Sequence, residues 1–241
     1  MCYIRCADIS IHLTFKMKIS KSAIFSAFIL ILTFSSASAQ DTKERLPFYA
    51  APYYNSDPLT ISIGKYKTEL LSEDTVKILA LAKKIKADIN NTDIESLLFL
   101  SLRLYDLHKK DDAFYWFHIA KARAIIFIGM LDTAYVGGIG SEAFELKEFF
   151  ATFSQAVGGY INAHGFNDFD KGVAVFEKVK GDIKDIRSFK VLYPNIHFKD
   201  DSKLEEEKTA TEKNMAKAIA YFKANKEELI KKRIEQGIQG K

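Results

Sequence analysis

Cysteine is nearly absent from this sequence, which limits how the fold can be held together. The 241 residues contain two cysteines, Cys2 and Cys6, and both lie within the first six positions. The rest of the chain can therefore form no disulfide and offers no cysteine nucleophile. A chain of this length without cross-links must be stabilised by its own apolar core, in one domain or two small ones.

A large excess of one charge is also missing once the N-terminal segment is set aside. The whole chain has a formal net charge of +4 and a sequence pI of about 8.8. Residues 1–39 carry four of the 35 basic residues and one of the 31 acidic residues, which leaves 31 and 30 in the remainder. A nearly neutral chain lacks the basic excess of nucleic-acid-binding proteins. We therefore expect no nucleic-acid partner.

The local motifs that identify many enzymes are absent as well. The four histidines after residue 39 are never closer than ten residues, so no H-E-x-x-H zinc pair exists. No G-x-S-x-G nucleophile turn occurs. The run GGIG at 137–140 lacks the lysine and the serine or threonine of a phosphate-binding loop. We therefore expect no metal, no cofactor and no catalytic residue.

What the sequence does contain starts with a secretion signal. From Met17 it reads MKISKSAIFSAFILILTFSSASAQ, with two lysines, a 12-residue apolar run and a final Ala-Ser-Ala. This order is typical of a secretory signal peptide, here residues 17–39, with cleavage expected between Ala39 and Gln40. Residues 1–16 have no place in such a signal, so we expect translation to start at Met17.

A membrane anchor is the alternative interpretation of the same segment. Its 12 apolar residues would span about 18 Å as a helix, whereas a bilayer core is about 30 Å thick. No lipobox cysteine follows the apolar run. The sequence therefore predicts an exported product without a stable membrane span, in the periplasm of a Gram-negative bacterium.

The remaining sequence predicts an all-α chain. Residues 40–71 hold three of the four prolines and are predicted to be extended. Residues 72–189 repeat apolar side chains at the i, i+3, i+4, i+7 spacing of helix faces. Residues 190–203 show no such period and contain Pro194, so we predict a loop. Residues 204–238 predict one long amphipathic helix whose acidic start and basic end complement the helix dipole.

The helix predicted from Asp112 to Met130 is apolar around most of its circumference. It contains the run FYWF, which includes the single tryptophan, Trp116. At about 100° per residue, only the arc that holds His118 and Lys121 is plainly polar. Such a helix is buried on most sides, so we expect Trp116 to lie in the core.

This helix and the preceding one resemble a tetratricopeptide unit. The shared pattern is Leu97-x2-Leu100-Ser101-x2-Leu104 and Ala113-x3-Phe117-x2-Ala120, and Ala113-x2-Trp116-x3-Ala120 resembles the second helix of a Sel1-like repeat. Similar second-helix patterns at Gly172 and Ala218 follow after 59 and 46 residues, instead of the roughly 34 of a regular array. The resemblance implies antiparallel helical hairpins packed as a degenerate repeat, and a protein that binds a protein or peptide partner.

Two polar residues of the predicted helices are candidates for a role beyond packing. Arg123 lies on a side of its helix that should be buried, and a buried guanidinium needs an acidic or carbonyl partner. A structural salt bridge and a clamp for a ligand carboxylate both fit this position. The candidate salt-bridge partners are Glu95, Asp106 and Glu142. His164 ends the next predicted helix, where it could cap that helix or line a groove.

Three functions remain open. The first is an exported helical-repeat-like interaction protein without catalysis, for which Arg123, His118, His164 and Trp116 are the candidate binding residues. The second is an exported enzyme with a site around Trp116, His118 and Arg123. The third is a small-ligand binding protein that uses the aromatic run as a stacking wall. An exposed aromatic face favours the first and a pocket with converging polar groups the second, while burial of Trp116 and Phe117 removes the main support of the third.

Overall fold

The computed structural model describes residues 66–238. The predicted signal peptide and most of the predicted extended segment lie outside these described residues. Within them the chain is all-α, with eight α-helices and no β-strand, so the predicted fold class is confirmed. The helices are α1 Lys67–Leu70, α2 Thr75–Ala87, α3 Ile94–Asp106, α4 Lys110–Met130, α5 Glu142–Gly165, α6 Phe169–Asp182, α7 Leu204–Ala224 and α8 Lys226–Glu235, with 3₁₀ turns at Ile89–Asn91, Ile183–Asp185 and Asp201–Lys203.

Aspartate side chains set the starts of three helices. Asp74 accepts a hydrogen bond from the backbone N–H of Val76 at 2.8 Å, and Asp93 accepts one from Ser96 at 2.6 Å. Asp168 caps α6 in the same way. A side-chain oxygen at this position satisfies an N–H group that has no partner inside the helix. These caps fix where α2, α3 and α6 begin.

The long helix α4 is the centre of the fold. It forms an antiparallel hairpin with α3 and also contacts α5, α6 and α7. Its buried residues therefore lie on almost every side, as expected for a helix that is apolar around most of its circumference. In a repeat solenoid each unit contacts only its neighbours, whereas α4 also contacts helices far along the chain. The repeat arrangement stays a prediction.

The region predicted as one C-terminal helix consists of two helices that meet at Asn225. The backbone N–H and the side-chain amide of Asn225 both donate to the carbonyl of Tyr221, at 3.0 and 2.8 Å. Asparagine side chains compete in this way with regular helix bonding. The polar pattern of residues 204–238 continues across the break, and for this reason periodicity did not reveal it. None of the helices between residues 66 and 238 combines the length and apolar character needed to span a bilayer.

Glycine allows three helices to approach closely at one end of α4. A Cβ atom built on Gly165, at the end of α5, would lie 2.2 Å from the ring of Phe114. One built on Gly172 would lie 2.8 Å from the carbonyl oxygen of Gly165. Real Cβ atoms do not approach other heavy atoms so closely, so both positions require glycine for the observed packing of α4, α5 and α6.

We expect Gly165→Ala to lower the free energy of unfolding by about 1–3 kcal/mol, because the added methyl group overpacks a buried contact. The matched control is Gly159→Ala in the same helix, where nothing lies within 4 Å of the new Cβ. That change should raise stability by about 0.5–1 kcal/mol through helix propensity. Urea denaturation followed by circular dichroism measures both values, and equal effects would contradict the close approach at Gly165.

Candidate functional site

The four residues predicted as a site do not converge in the structure. Trp116, His118 and Arg123 lie on α4 with exposed fractions of 4%, 7% and 1%. His118 and Arg123 are five positions apart, which places them about 140° apart around the helix. His164 lies at the far end of α5, and its side chain is 26% exposed. The described residues thus hold separate polar centres instead of one pocket.

The aromatic run of α4 is part of the core. Trp116 packs edge-on against Tyr115, with ring centroids 5.4 Å apart, and Phe117 is fully buried. A stacking wall for a ligand needs aromatic faces that a ligand can reach. The small-ligand interpretation therefore loses its main support.

His118 is enclosed by aromatic rings and one amide. Its Nε2 lies 2.9 Å from Oδ1 of Asn162 on α5, and because that oxygen only accepts, Nε2 carries the hydrogen. The rings of Phe114, Phe117 and Phe176 surround it at 4.6, 5.2 and 4.4 Å between centroids. Burial disfavours the imidazolium and lowers the pKa of His118 to about 3. The ring is neutral near pH 7 and holds α4, α5 and α6 together.

Arg123 is buried without any of the predicted salt bridges. Its Nη1 donates to Oδ1 of Asn90 at 3.4 Å, and its guanidinium lies 5.7 Å from the ring centre of Phe189. Its Nε has no hydrogen-bond partner. Desolvation lowers the pKa of Arg123 to about 10, so the group stays charged at neutral pH. The positive charge of Arg123 is stabilised by the amide of Asn90, the ring of Phe189 and electrostatic attraction to more distant groups.

The predicted partners of Arg123 are engaged elsewhere or are not bonded to it. Asp106 lies 3.3 Å from Nη1 of Arg103, in its own helix. Glu95 accepts a hydrogen bond from the hydroxyl of Tyr193. Within residues 66–238 Glu142 makes no ion pair with Arg123 either. The predicted salt bridge is therefore wrong for all three carboxylates.

Asn90 joins Arg123 to the segment that follows α6. Its Oδ1 also accepts from the backbone N–H of Arg187 at 3.2 Å, and its Nδ2 donates to the carbonyl of Asp185 at 2.9 Å. One amide side chain thus bridges the turn before α3, the centre of α4 and the loop after α6. No local pattern in the sequence indicates this role, because asparagine in a turn is usually explained by local turn geometry.

Glu95 and Tyr193 form a second buried polar pair. The hydroxyl of Tyr193 donates to Oε2 of Glu95 at 2.5 Å and accepts from the backbone N–H of Ile94 at 2.9 Å. Burial, with smaller contributions from Asp93 and Glu142, raises the pKa of Glu95 to about 7. Burial also raises the pKa of Tyr193 well above its usual value. Glu95 is therefore largely protonated below neutral pH.

His164 contacts the N-terminal end of α4. Its Nε2 lies 2.8 Å from Oδ1 of Asp111, in the first turn of α4. Both residues line a shallow surface depression of about 360 Å³ that also includes His108. No cluster of three or more potential metal-ligating His, Cys, Asp or Glu side chains occurs between residues 66 and 238. The pair connects the end of α5 to the start of α4.

A group of exposed apolar side chains lies in the C-terminal part of α4 and in the loop that follows it. Four of the ten large apolar residues exposed in the described chain fall between 125 and 139. Ile125 and Ile128 are three positions apart and share a helix face, while Tyr135 and Ile139 lie in the following loop and are 62% and 69% exposed. The ring of Tyr135 stacks on His197 at 4.6 Å. We call these five residues the α4-end surface.

Backbone contacts hold this surface in place. Leu131 and Phe198 form an isolated antiparallel bridge, and the N–H of Asp132 donates to the carbonyl of His197 at 3.1 Å. The N–H of Lys199 donates to the carbonyl of Met130 at 2.8 Å. The loop after α4 and the loop before α7 are thus fixed to each other. Tyr135 is not among the residues predicted to bind a partner, although an aromatic residue in a glycine-rich loop is a signal that the sequence contains.

We expect Glu95→Gln to remove a pH dependence of folding. A carboxyl whose pKa is about 7 in the folded state and 4.5 otherwise binds its proton more tightly in the folded state. Its stabilising contribution is complete below about pH 4.5 and is lost as pH rises to about 7. The glutamine side chain of the variant can still accept from Tyr193 without titrating. The variant should match the wild type near pH 4.5 and exceed it by up to about 3 kcal/mol at pH 8.

Urea unfolding at pH 4.5, 6 and 8 measures this difference. The matched control is Glu227→Gln, which makes the same substitution at an exposed position on α8. A constant difference for Glu95→Gln would contradict the raised pKa. The neutral His118 contributes with the opposite sign, since its stabilisation is lost as pH falls from about 6.5 to about 3, but it does so equally in both chains.

We expect Arg123→Met to keep the free energy of unfolding within about 1 kcal/mol of the wild type, because a buried charge with poor partners adds little net stability. Arg123→Ala should lower it by about 2–4 kcal/mol through the cavity it leaves. Thermal and urea unfolding of the two variants measure the difference. Equal losses would instead show that the guanidinium itself stabilises the fold.

Comparisons with known proteins identify a bacterial relative of this chain. No protein-family model matches the chain, and no solved structure matches it. A stretch of 160 residues is 27% identical to an uncharacterized protein of Haemophilus influenzae. The match covers 65% of this chain and 59% of that protein, so the chain spans less than two thirds of the relative's length.

Proposed function

We propose that this chain is an exported helical protein that binds a protein or peptide partner through the α4-end surface, without catalysis. The observation that carries the proposal is the exposure of Ile125, Ile128, Tyr135 and Ile139 at one end of the central helix and in the loop that follows it. Large apolar side chains grouped on a surface are typical of contact sites. The signal-peptide pattern of residues 17–39 supports export, with the periplasm as destination.

The chemistry of the α4-end surface suits a protein partner. Burying an isoleucine or tyrosine side chain contributes about 1.5–3 kcal/mol, and tyrosine is frequent among the residues that dominate interface energies. Tyr135 already stacks on His197, so little side-chain freedom is lost when a partner covers it. The fixed loops beneath it make the surface largely preorganised.

A polar rim borders the apolar residues. Gly129 shares a helix face with Ile125, and its carbonyl accepts a hydrogen bond from Nζ of Lys199 at 2.5 Å. The same lysine lies 3.4 Å from Oε1 of Glu207 at the start of α7. An apolar centre with charged groups at its edge is the usual composition of a protein interface.

The alternative, an exported enzyme or ligand-binding protein with a site around Trp116, His118 and Arg123, has no comparable support. All three side chains are buried, and the two polar ones face different sides of α4. An Arg123 variant would therefore report on folding and not on partner binding. Variants of the α4-end surface are the appropriate test.

We expect the mature chain, tagged at its C-terminus, to recover a specific partner from the periplasmic fraction of its own organism. The N-terminus of the exported chain should be Gln40, as determined by sequencing the purified protein. The double variant Ile125→Lys with Tyr135→Lys should lose at least about 90% of the recovered partner, because two charges replace apolar contacts at the interface.

Val191→Lys is the matched control, since Val191 is 82% exposed and lies outside the α4-end surface. It should recover as much partner as the wild type, and circular dichroism should show that all three chains are folded. Equal recovery by the double variant and the control would refute the assigned surface. A mature chain that recovers nothing specific would refute the proposed function itself.

A further inference from the structure

The C-terminal helix α8 packs against a small apolar cluster that adjoins the main core through Phe166 and Phe176. The cluster contains Phe166, Phe169, Val173, Phe176, Ile219 and Phe222 from α6, α7 and the turn before α6, with Leu229 and Ile230 from α8. Without the two α8 residues, the other six would present an apolar surface between the start of α6 and the end of α7. We call these six residues the α6–α7 groove.

Polar contacts at both ends of α8 fix its position in the groove. Nζ of Lys226 lies 2.8 and 2.7 Å from the two carboxylate oxygens of Asp170. Nη2 of Arg233 donates to the carbonyl of Ala163 at 2.7 Å and reaches Oδ1 of Asn167 at 3.3 Å. The groove therefore has an acidic acceptor at one end and neutral oxygen acceptors at the other.

The four contacting residues of α8 form a single helical face. Lys226, Leu229, Ile230 and Arg233 follow the spacing i, i+3, i+4, i+7. Helix-in-groove recognition uses this spacing of anchor residues. The groove thus fits a helix in which two adjacent apolar residues stand between basic residues, each three positions away.

The attachment of α8 is weak in comparison with the rest of the fold. None of its ten residues is buried. Its preceding residue, Asn225, bonds backwards to Tyr221 and does not cap the free N–H groups of α8. Isolated helices of this length are marginal in water, and segments with few buried contacts open locally without global unfolding.

We propose that the α6–α7 groove is a docking site for an amphipathic helix of a partner protein with this basic-apolar-apolar-basic face, and that α8 occupies it until the partner displaces it. The inference goes beyond the proposed function, because it concerns a different surface and does not depend on the α4-end surface. A tethered helix competes at a high effective concentration. If α8 is detached in about one molecule of a hundred, the apparent dissociation constant of a partner is about 100-fold larger than its value for the open groove.

The test uses a fluorescently labelled peptide of residues 225–238 and the mature chain. In one variant, Leu229→Asp with Ile230→Asp, α8 loses its apolar anchors and the groove is freed. We expect fluorescence anisotropy to show peptide binding to this variant at least about ten-fold tighter than to the wild type. Hydrogen exchange should show that the amides of α8 are protected far less than those of α4 in the wild type.

A charge exchange identifies the groove as the binding site. Asp170→Lys, added to the double variant, should weaken binding of the peptide at least about ten-fold. A peptide with Lys226→Glu should restore binding to this triple variant. Phe169 and its neighbours are unchanged in this control, and thermal melting of each variant verifies the fold.

Each alternative outcome would overturn the proposal. Absence of binding to the folded double variant, or binding insensitive to Asp170→Lys, would show that the groove is no docking site. Equal affinity for the wild type and the double variant would show that α8 does not occlude it. A wild-type dimer that the peptide dissociates would assign the groove to α8 of a second copy instead of a partner protein.

Discussion

The burial of α4 on almost every side is the constraint from which the rest of the structure follows. Because α3, α5, α6 and α7 all contact this helix, its length sets how the other helices are arranged. Glycine at the end of α5 allows the close contact with Phe114 of α4, and glycine in α6 allows α6 to pack closely on α5. The two surfaces that we propose for binding, the α4-end surface and the α6–α7 groove, consequently lie at the ends of the bundle and on its outer helices.

Two polar residues are enclosed by this arrangement, and each is accommodated differently. His118 is held neutral by its aromatic surroundings and satisfied by the amide of Asn162. Arg123 keeps its charge and is only partly satisfied by Asn90 and the ring of Phe189. A buried histidine can lose its proton and become neutral, whereas a buried arginine stays charged. Burial of Arg123 therefore has the larger desolvation cost. These residues stabilise or strain the core and do not form an accessible site.

Local patterns in the sequence were sufficient for the helical class, the burial of Trp116 and the position of α4. They depend on periodicity within one element, which a single sequence contains. The pair Glu95 and Tyr193, separated by 98 positions, could not be found in this way, because nothing near either residue specifies the other. The break at Asn225 was missed because polar periodicity continues through it. The repeat resemblance predicted the α3–α4 hairpin but not the contacts of α4 with α6 and α7.

The loop before α7 has a further consequence for how the chain reaches this structure. Tyr193 contacts the start of α3, and Phe198 contacts the residue after α4, so one short segment contacts the two helix ends that lie opposite the turn of the same hairpin. The hairpin itself depends on contacts between neighbours in the chain, which form quickly, whereas this closure requires residues about a hundred positions apart to meet. We therefore expect the α3–α4 hairpin to form first during folding. The loop before α7 should pack against it late, at the same stage as Glu95 becomes buried.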